Sequence, residues 1–277
     1  MPVIDTYLWL SKFSIAYDQQ LTKSPYTLQC ALLCAPIVNK FPDYNSEELQ
    51  YEFLNYGLFN PSESEGLEKR VMKMKSRKFW EFINLEYQLL KNVWQGPEVS
   101  IYIFPITNLD FVGATPTKNG VAYKNALFLF LSENLSSEEI RALFAHEYNH
   151  ICRLHFLAME PNRMPLMDSL IIEGLAEYAV RDLYGERWLG PWNNLYSYEK
   201  ALNIWLTVFI HSIHLKGLKN HRKFLYGEKK SPLPEWIGYS IGYQIVDTYQ
   251  NNCGPFTTLE LLQMSSEELI KGSDFPT

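Results

Sequence analysis

Apolar residues recur every three or four positions through TLQCALLCAPIV, SEELQYEFLNYGL and RKFWEFINLEYQLLKNVW, with Pro and Gly between the runs. That period is the buried face of an α-helix, so residues 1–95 are expected to form an N-terminal helical region. The pattern then shortens: VSIYIFPI and NGVAYKNALFLFL, between positions 99 and 131, are β-branched and aromatic runs bounded by Pro, Asn and Gly. They predict a small sheet. LSSEEIRALFAHEYNHICRLHFL returns to helical spacing, and Ser136 followed by Glu139 is a capping-box signature, which predicts a helix over about 136–157. A second helix, about 168–184, should start near Asp168 or Ser169 after Pro165 and stop at Gly185. Two more are expected at 197–218 and 235–251, joined by the polar stretch 219–234. The predicted architecture is α+β and mainly helical, with a second domain over 96–277 in which the sheet precedes the histidine-bearing helix.

Composition narrows the class. With 47% apolar and 20% charged residues among 277, the chain can bury a sizeable core. A formal net charge of −6 argues against a nucleic-acid surface, because phosphate binding needs a positive field. No apolar run approaches the roughly 18 residues of a membrane span, and MPVIDTYLWLSKFSIAYDQQ lacks the basic head and cleavage site of a signal peptide. No membrane span and a cytoplasmic location are therefore expected. Cys30, Cys34, Cys152 and Cys253 form no CxxC pair and read as reduced thiols.

The chemistry concentrates in AHEYNHICRLH, residues 145–155. On a helix His146 and His150 lie one turn plus about 40° apart, so both imidazoles leave the same face and can reach one ion. Glu147 points about 100° around from His146, where a general base can reach a water beside that ion without becoming a ligand. His155 lies about 140° around from His150 and cannot complete the set. A third ligand must come from elsewhere, and LIIEGLAEYAV offers Glu173 and Glu177, four apart on one helical face. One would bind the metal and the other would hold the second N–H of a ligand histidine; spacing alone does not decide which does which. Gly174 between them costs about 1 kcal/mol relative to alanine within a helix, a cost that close approach of a neighbouring helix explains.

HEYNH followed by EGLAEY resembles the gluzincin metallopeptidases. The Trp9–Leu10 pair, YGLFNP at 56–61 and HEYNHICRL are more narrowly similar to the YjaZ-like family of predicted zinc-dependent proteases. The resemblance implies a gluzincin-like fold in which His146, His150 and Glu173 bind Zn2+, Glu147 is the general base and Glu177 is the carboxylate behind the ligands. It also implies amide hydrolysis of a peptide or protein substrate. Tyr239-x-x-Gly242 is similar to the tyrosine segment of gluzincin aminopeptidases, which implies that Tyr239, with Tyr243 as the other choice, stabilises the oxyanion. The glycine-methionine-glutamate-asparagine element of those aminopeptidases is missing, which favours an endopeptidase or oligopeptidase. GVAYKNALFLFL is expected to supply an edge strand for an extended substrate. Two rival readings use the same residues: a non-catalytic binding or regulatory protein on this scaffold, and a zinc hydrolase of non-peptide amides. HSIH at 211–214 is read as a surface or core pair without a ligand, and the basic run at 216–230 as a solvated helix end and loop. Oligomeric state is not encoded in any of these patterns.

Overall fold

Helical spacing becomes helix at Thr6–Asp18 (α1), Pro25–Gln29 (α2), Ser46–Tyr56 (α3), Leu67–Ser76 (α4) and Phe79–Trp94 (α5). These belong to a computed structural model that describes residues 2–19, 24–106, 117–227 and 233–276. Local chemistry sets several of the ends. Asn45 caps α3 in a reciprocal capping box with Glu48, and Gly57 closes it with a φ of 109°, a left-handed conformation open to glycine at little cost. The run TLQCALLCAPIV is a short helix that widens into a π-helical turn at Cys30–Cys34. All four cysteines are free thiols.

Strands follow at Ser100–Pro105 (β1), Lys118–Tyr123 (β2) and Ala126–Leu131 (β3). The sheet order is β1-β3-β2, with β1 parallel and β2 antiparallel to β3. This order divides the segment expected to supply an edge strand. Every residue of Ala126–Leu131 is buried, as an uninterrupted apolar run demands, and β3 is the paired central strand. The edge in this hairpin is β2, whose residues are all half-buried.

The chain divides into two compact units, Met1–Leu89 with Glu98–Phe144, and Leu90–Pro97 with Ala145–Thr277. The expected boundary at 95/96 lies inside the short excursion 90–97. The active-site candidates all fall in the second unit. There the helix Ser137–Phe156 (α6), whose later residues from Ala145 belong to this unit, is followed by Leu166–Tyr184 (α7), Tyr198–Ile204 (α8), Leu218–Tyr226 (α9), Ile237–Cys253 (α10), Thr258–Gln263 (α11) and Ser266–Gly272 (α12). The α6 capping box forms: Glu139 accepts from the Ser136 backbone at 2.8 Å, and Ser136 Oγ accepts from the Glu139 backbone at 3.2 Å. Helix α7 begins two residues before its expected start and ends at Gly185, as its glycine predicts.

The expected continuous helix at 197–218 breaks after α8 into a π-helical turn, Trp205–Phe209, and the stretch expected to be a polar connection contains α9. In α9 the basic residues face outward while His221, Phe224 and Leu225 are buried, so one buried face suffices for a helix that its charge disguises. The last three residues of the basic run lie outside the described residues. Among the described residues, no helix is long and apolar enough to cross a membrane.

Helices α7 and α10 cross at glycine. A Cβ on Gly174 would fall 2.1 Å from the Gly242 carbonyl oxygen, and a Cβ on Gly242 would fall 2.1 Å from that of Leu170. The close neighbour anticipated for Gly174 is therefore α10. Because backbone is what each methyl would strike, Gly242→Ala must push the helices apart, at a typical overpacking cost of about 1–3 kcal/mol. Thermal denaturation should show Tm falling by roughly 2–4 °C per kcal/mol. An unchanged Tm would mean that the crossing is loose.

Candidate metal centre

Three anchors hold the later part of α6 within the second unit. The Tyr148 hydroxyl donates to the Pro97 carbonyl at 3.0 Å, and its ring stacks on Trp94 with 6.0 Å between centroids. Gly96 makes room for that ring, since a Cβ there would lie 2.3 Å from the Tyr148 hydroxyl. Arg153, fully buried, donates to the carbonyls of Leu261 and Leu262 at 3.2 and 3.1 Å, to that of Met264, and to Ser266 Oγ at 3.1 Å. Its two terminal nitrogens thus satisfy the end of α11 and join it to α12.

With α6 fixed, His146 and His150 project from one face, their ring centroids 4.6 Å apart. Glu173 comes from α7: its Oε2 lies 3.4 Å from His146 Nε2 and 3.5 Å from His150 Nε2. These separations are long for charge-assisted hydrogen bonds, and Glu173 Oε2 is buried without a hydrogen-bond partner. They match the edge of a tetrahedron around zinc, because donors about 2.0–2.2 Å from an ion at tetrahedral angles lie about 3.3–3.6 Å apart. His146, His150 and Glu173 can therefore present one donor atom each to a shared point, with all three atoms within 4.8 Å of one another. The donor set, two imidazoles and a carboxylate, suits zinc.

Glu177, one turn further along α7, is turned to the other side of the same imidazole. Its Oε1 lies 3.0 Å from His146 Nδ1, while its Oε2 accepts from the Gly190 backbone at 2.8 Å and from Asn193 Nδ2 at 2.5 Å. In the neutral form of the ring, which is the one that ligates, an Nδ1–H directed at Glu177 leaves Nε2 with its lone pair facing Glu173 and His150.

Electrostatics in this pocket follow from burial and three carboxylates. Burial opposes a charge on His146, yet the carboxylates of Glu173 and Glu177 outweigh it and hold the ring well above its ordinary range. His150, where burial dominates, is pushed down to about 4 and is neutral at pH 7, the form that can ligate. Burial lifts Glu147 to about 7, with the charge of His146 pulling against it and that of Glu173 adding to it. Burial raises Glu173 too, but the two histidines overcome it and keep that carboxylate ionised.

Tyr239 joins this cluster and Tyr243 does not. The Tyr239 hydroxyl donates to the Tyr226 hydroxyl at 3.2 Å and lies near enough to Glu173 to help hold that carboxylate down. Burial, reinforced by Glu173, holds it well above the ordinary tyrosine range, so it remains a proton donor. Tyr243 instead accepts from Arg181 at 2.6 Å, and the same guanidinium reaches Asp247. Gly238 is explained by packing: a Cβ there would strike α9 at Leu225 Cα, 2.7 Å away. Tyr239 is carried to Glu173 by the Gly174–Gly242 crossing, which lies three residues along α10.

Residues that carry no motif complete the surroundings. Trp192 lies 5.0 Å from Trp236 and 5.2 Å from Tyr239, and Tyr226 lies 5.6 Å from Tyr239, all between ring centroids. Trp236 has a φ of 60°, unusual for a bulky side chain, where the chain turns into α10. No periodic spacing links the segment GPWNN to LIIEGLAEY, so neither the Asn193–Glu177 bond nor the Trp192 contact could be read beforehand. His155, His211 and His214 are exposed, apart from the converging set.

Comparison with known proteins agrees with the geometry. Residues 79–271 match the family described as predicted Zn-dependent protease (DUF2268). The chain is 31% identical over 265 residues to the uncharacterized protein YjaZ of Bacillus subtilis (strain 168), covering 90% of this chain and 91% of that protein. It is also 29% identical over 120 residues to the uncharacterized protein YjfC of the same organism, covering 40% of each. No solved structure matches. By the extent of these matches, the chain belongs to the DUF2268 family of predicted Zn-dependent proteases.

Proposed function

We propose that this protein is a zinc metallopeptidase in which His146, His150 and Glu173 hold the metal and Glu147 is the general base. The observation that carries this reading is the convergence of two Nε2 atoms on one orphaned carboxylate oxygen at 3.4 and 3.5 Å. A zinc ion with three protein ligands supplies a Lewis acid for the scissile carbonyl and lowers the pKa of a bound water to about 7.

The other steps fall to side chains. Glu147, on the residue next to His146 and itself lifted to about 7, takes the proton of the attacking water and returns it to the leaving amine. Tyr239, kept protonated, donates to the oxygen on which negative charge develops. Glu177 orients His146 and fixes its tautomer. The missing aminopeptidase element favours internal cleavage or cleavage of oligopeptides over removal of a single amino-terminal residue.

The test pairs metal analysis of the purified protein with digestion of a mixed peptide library before chelation, after it, and after zinc is restored. One zinc per chain and cleavage that disappears and returns with the metal are expected. Bound zinc without cleavage of any peptide would favour the non-catalytic binding reading, and cleavage indifferent to chelation would remove zinc from the mechanism.

A further inference from the structure

The second carboxylate of α7 is held from outside the motif. Glu177 is almost fully buried, and a buried carboxylate needs its lone pairs occupied. Oε1 faces His146 Nδ1, while Oε2 receives two N–H donors from one short turn, the Gly190 backbone at 2.8 Å and Asn193 Nδ2 at 2.5 Å. Asn193 is itself only 4% exposed, and its Nδ2 also reaches the Gly190 carbonyl at 3.2 Å, so the turn is braced across its own ends. Gly190 is required here for space, because a Cβ would stand 2.1 Å from the Trp192 ring.

These contacts form a chain of orientation. A carboxylate bonded only to His146 could rotate about its last two torsions and present either oxygen. Two donors on Oε2 lock that rotation and leave Oε1 alone to face the imidazole. The neutral, ligating imidazole then holds its proton on Nδ1 and its lone pair on Nε2.

We propose that Asn193 is a positioning residue for the metal centre, acting through Glu177 to fix the tautomer and aim of His146. The proposal rests on the reading of His146 as a zinc ligand. It adds a residue outside the converging donor set, from a turn with no sequence signature of metal binding.

The test is a double-mutant cycle read as zinc affinity, by competition with a chromophoric chelator on the full chain. Partners behind ligand histidines are commonly worth about 10–100-fold in metal affinity. Glu177→Gln and Asn193→Ala should each weaken zinc by about that factor, and the double variant should bind no more weakly than Glu177→Gln alone. Asn193→Asp, of nearly the same volume but with an acceptor facing Glu177, should weaken zinc at least as much and serves if the alanine variant does not fold. Cobalt-substituted Asn193→Ala should also show an altered visible spectrum, which a purely structural loss elsewhere would not produce. Wild-type zinc affinity in either Asn193 variant would overturn the proposal. So would losses that simply add in the double variant, since Asn193 would then act by a route other than Glu177. A wild type that binds no zinc at all would overturn the underlying metal reading, a result separable from the other two.

Discussion

Glu147→Gln is expected to keep its zinc and lose peptide hydrolysis, with kcat falling by about 10²–10⁴-fold, the contribution typical of a positioned general base. The substitution preserves shape and removes only the ability to accept a proton. Glu147 is not among the donor atoms that converge, so metal content should match the wild type. KM should change little if Glu147 acts mainly in the transition state. A second signature comes from burial. Glu147 is raised from an ordinary 4.5 to about 7 in the folded chain. A raised acid contributes stability that is fully present below its unfolded pKa and lost as pH rises through its folded one. The permanently neutral glutamine escapes that loss. Chelator-treated Glu147→Gln should therefore be more stable than chelator-treated wild type above pH 7, with the difference fading as pH falls toward 4.5. Equal hydrolysis by the two proteins would take Glu147 out of the mechanism.

The legible part of this protein is the part governed by repetition along the chain. Three-to-four spacing located α3, α5, α6, α7 and α10, and Ser136 with Glu139 marked the beginning of α6 because a capping box is a local bargain between neighbours. Spacing placed His146 and His150 on one face, and the family resemblance preferred Glu173 to Glu177; in the structure Glu173 faces both Nε2 atoms while Glu177 takes Nδ1. What stayed hidden depends on contacts between distant segments. Asn193, Trp192 and Trp236 lie in turns whose composition says only that the chain reverses there. Helix α9 was masked by its lysines, because three buried residues on one face leave little periodic trace in a nine-residue segment. The middle position of β3 is a fact of pairing order, which its sequence expresses only as unbroken apolarity.

His150→Ala is expected to abolish the zinc dependence of stability as well as zinc itself. With the imidazole removed, Glu173 faces only His146, and two donors from different helices fall short of the three-ligand set proposed for zinc. The loss should exceed the roughly 10–100-fold of partners that merely orient ligands. Metal that binds only the folded chain stabilises it by RT ln(1 + [Zn]/Kd), about 4 kcal/mol at a thousand times Kd. At roughly 2–4 °C per kcal/mol, wild type should melt on the order of 10 °C higher with zinc than after chelation. His150→Ala should show almost none of that gap. Its own metal-free melting temperature should fall somewhat below that of metal-free wild type, because a largely buried ring is lost and with it a neighbour 3.5 Å from the Glu173 carboxylate. The readout is the gap and not the absolute melting temperature: a cooperative transition that zinc no longer moves marks a lost ligand, whereas a variant that keeps the full zinc-induced rise would show that His150 holds no metal.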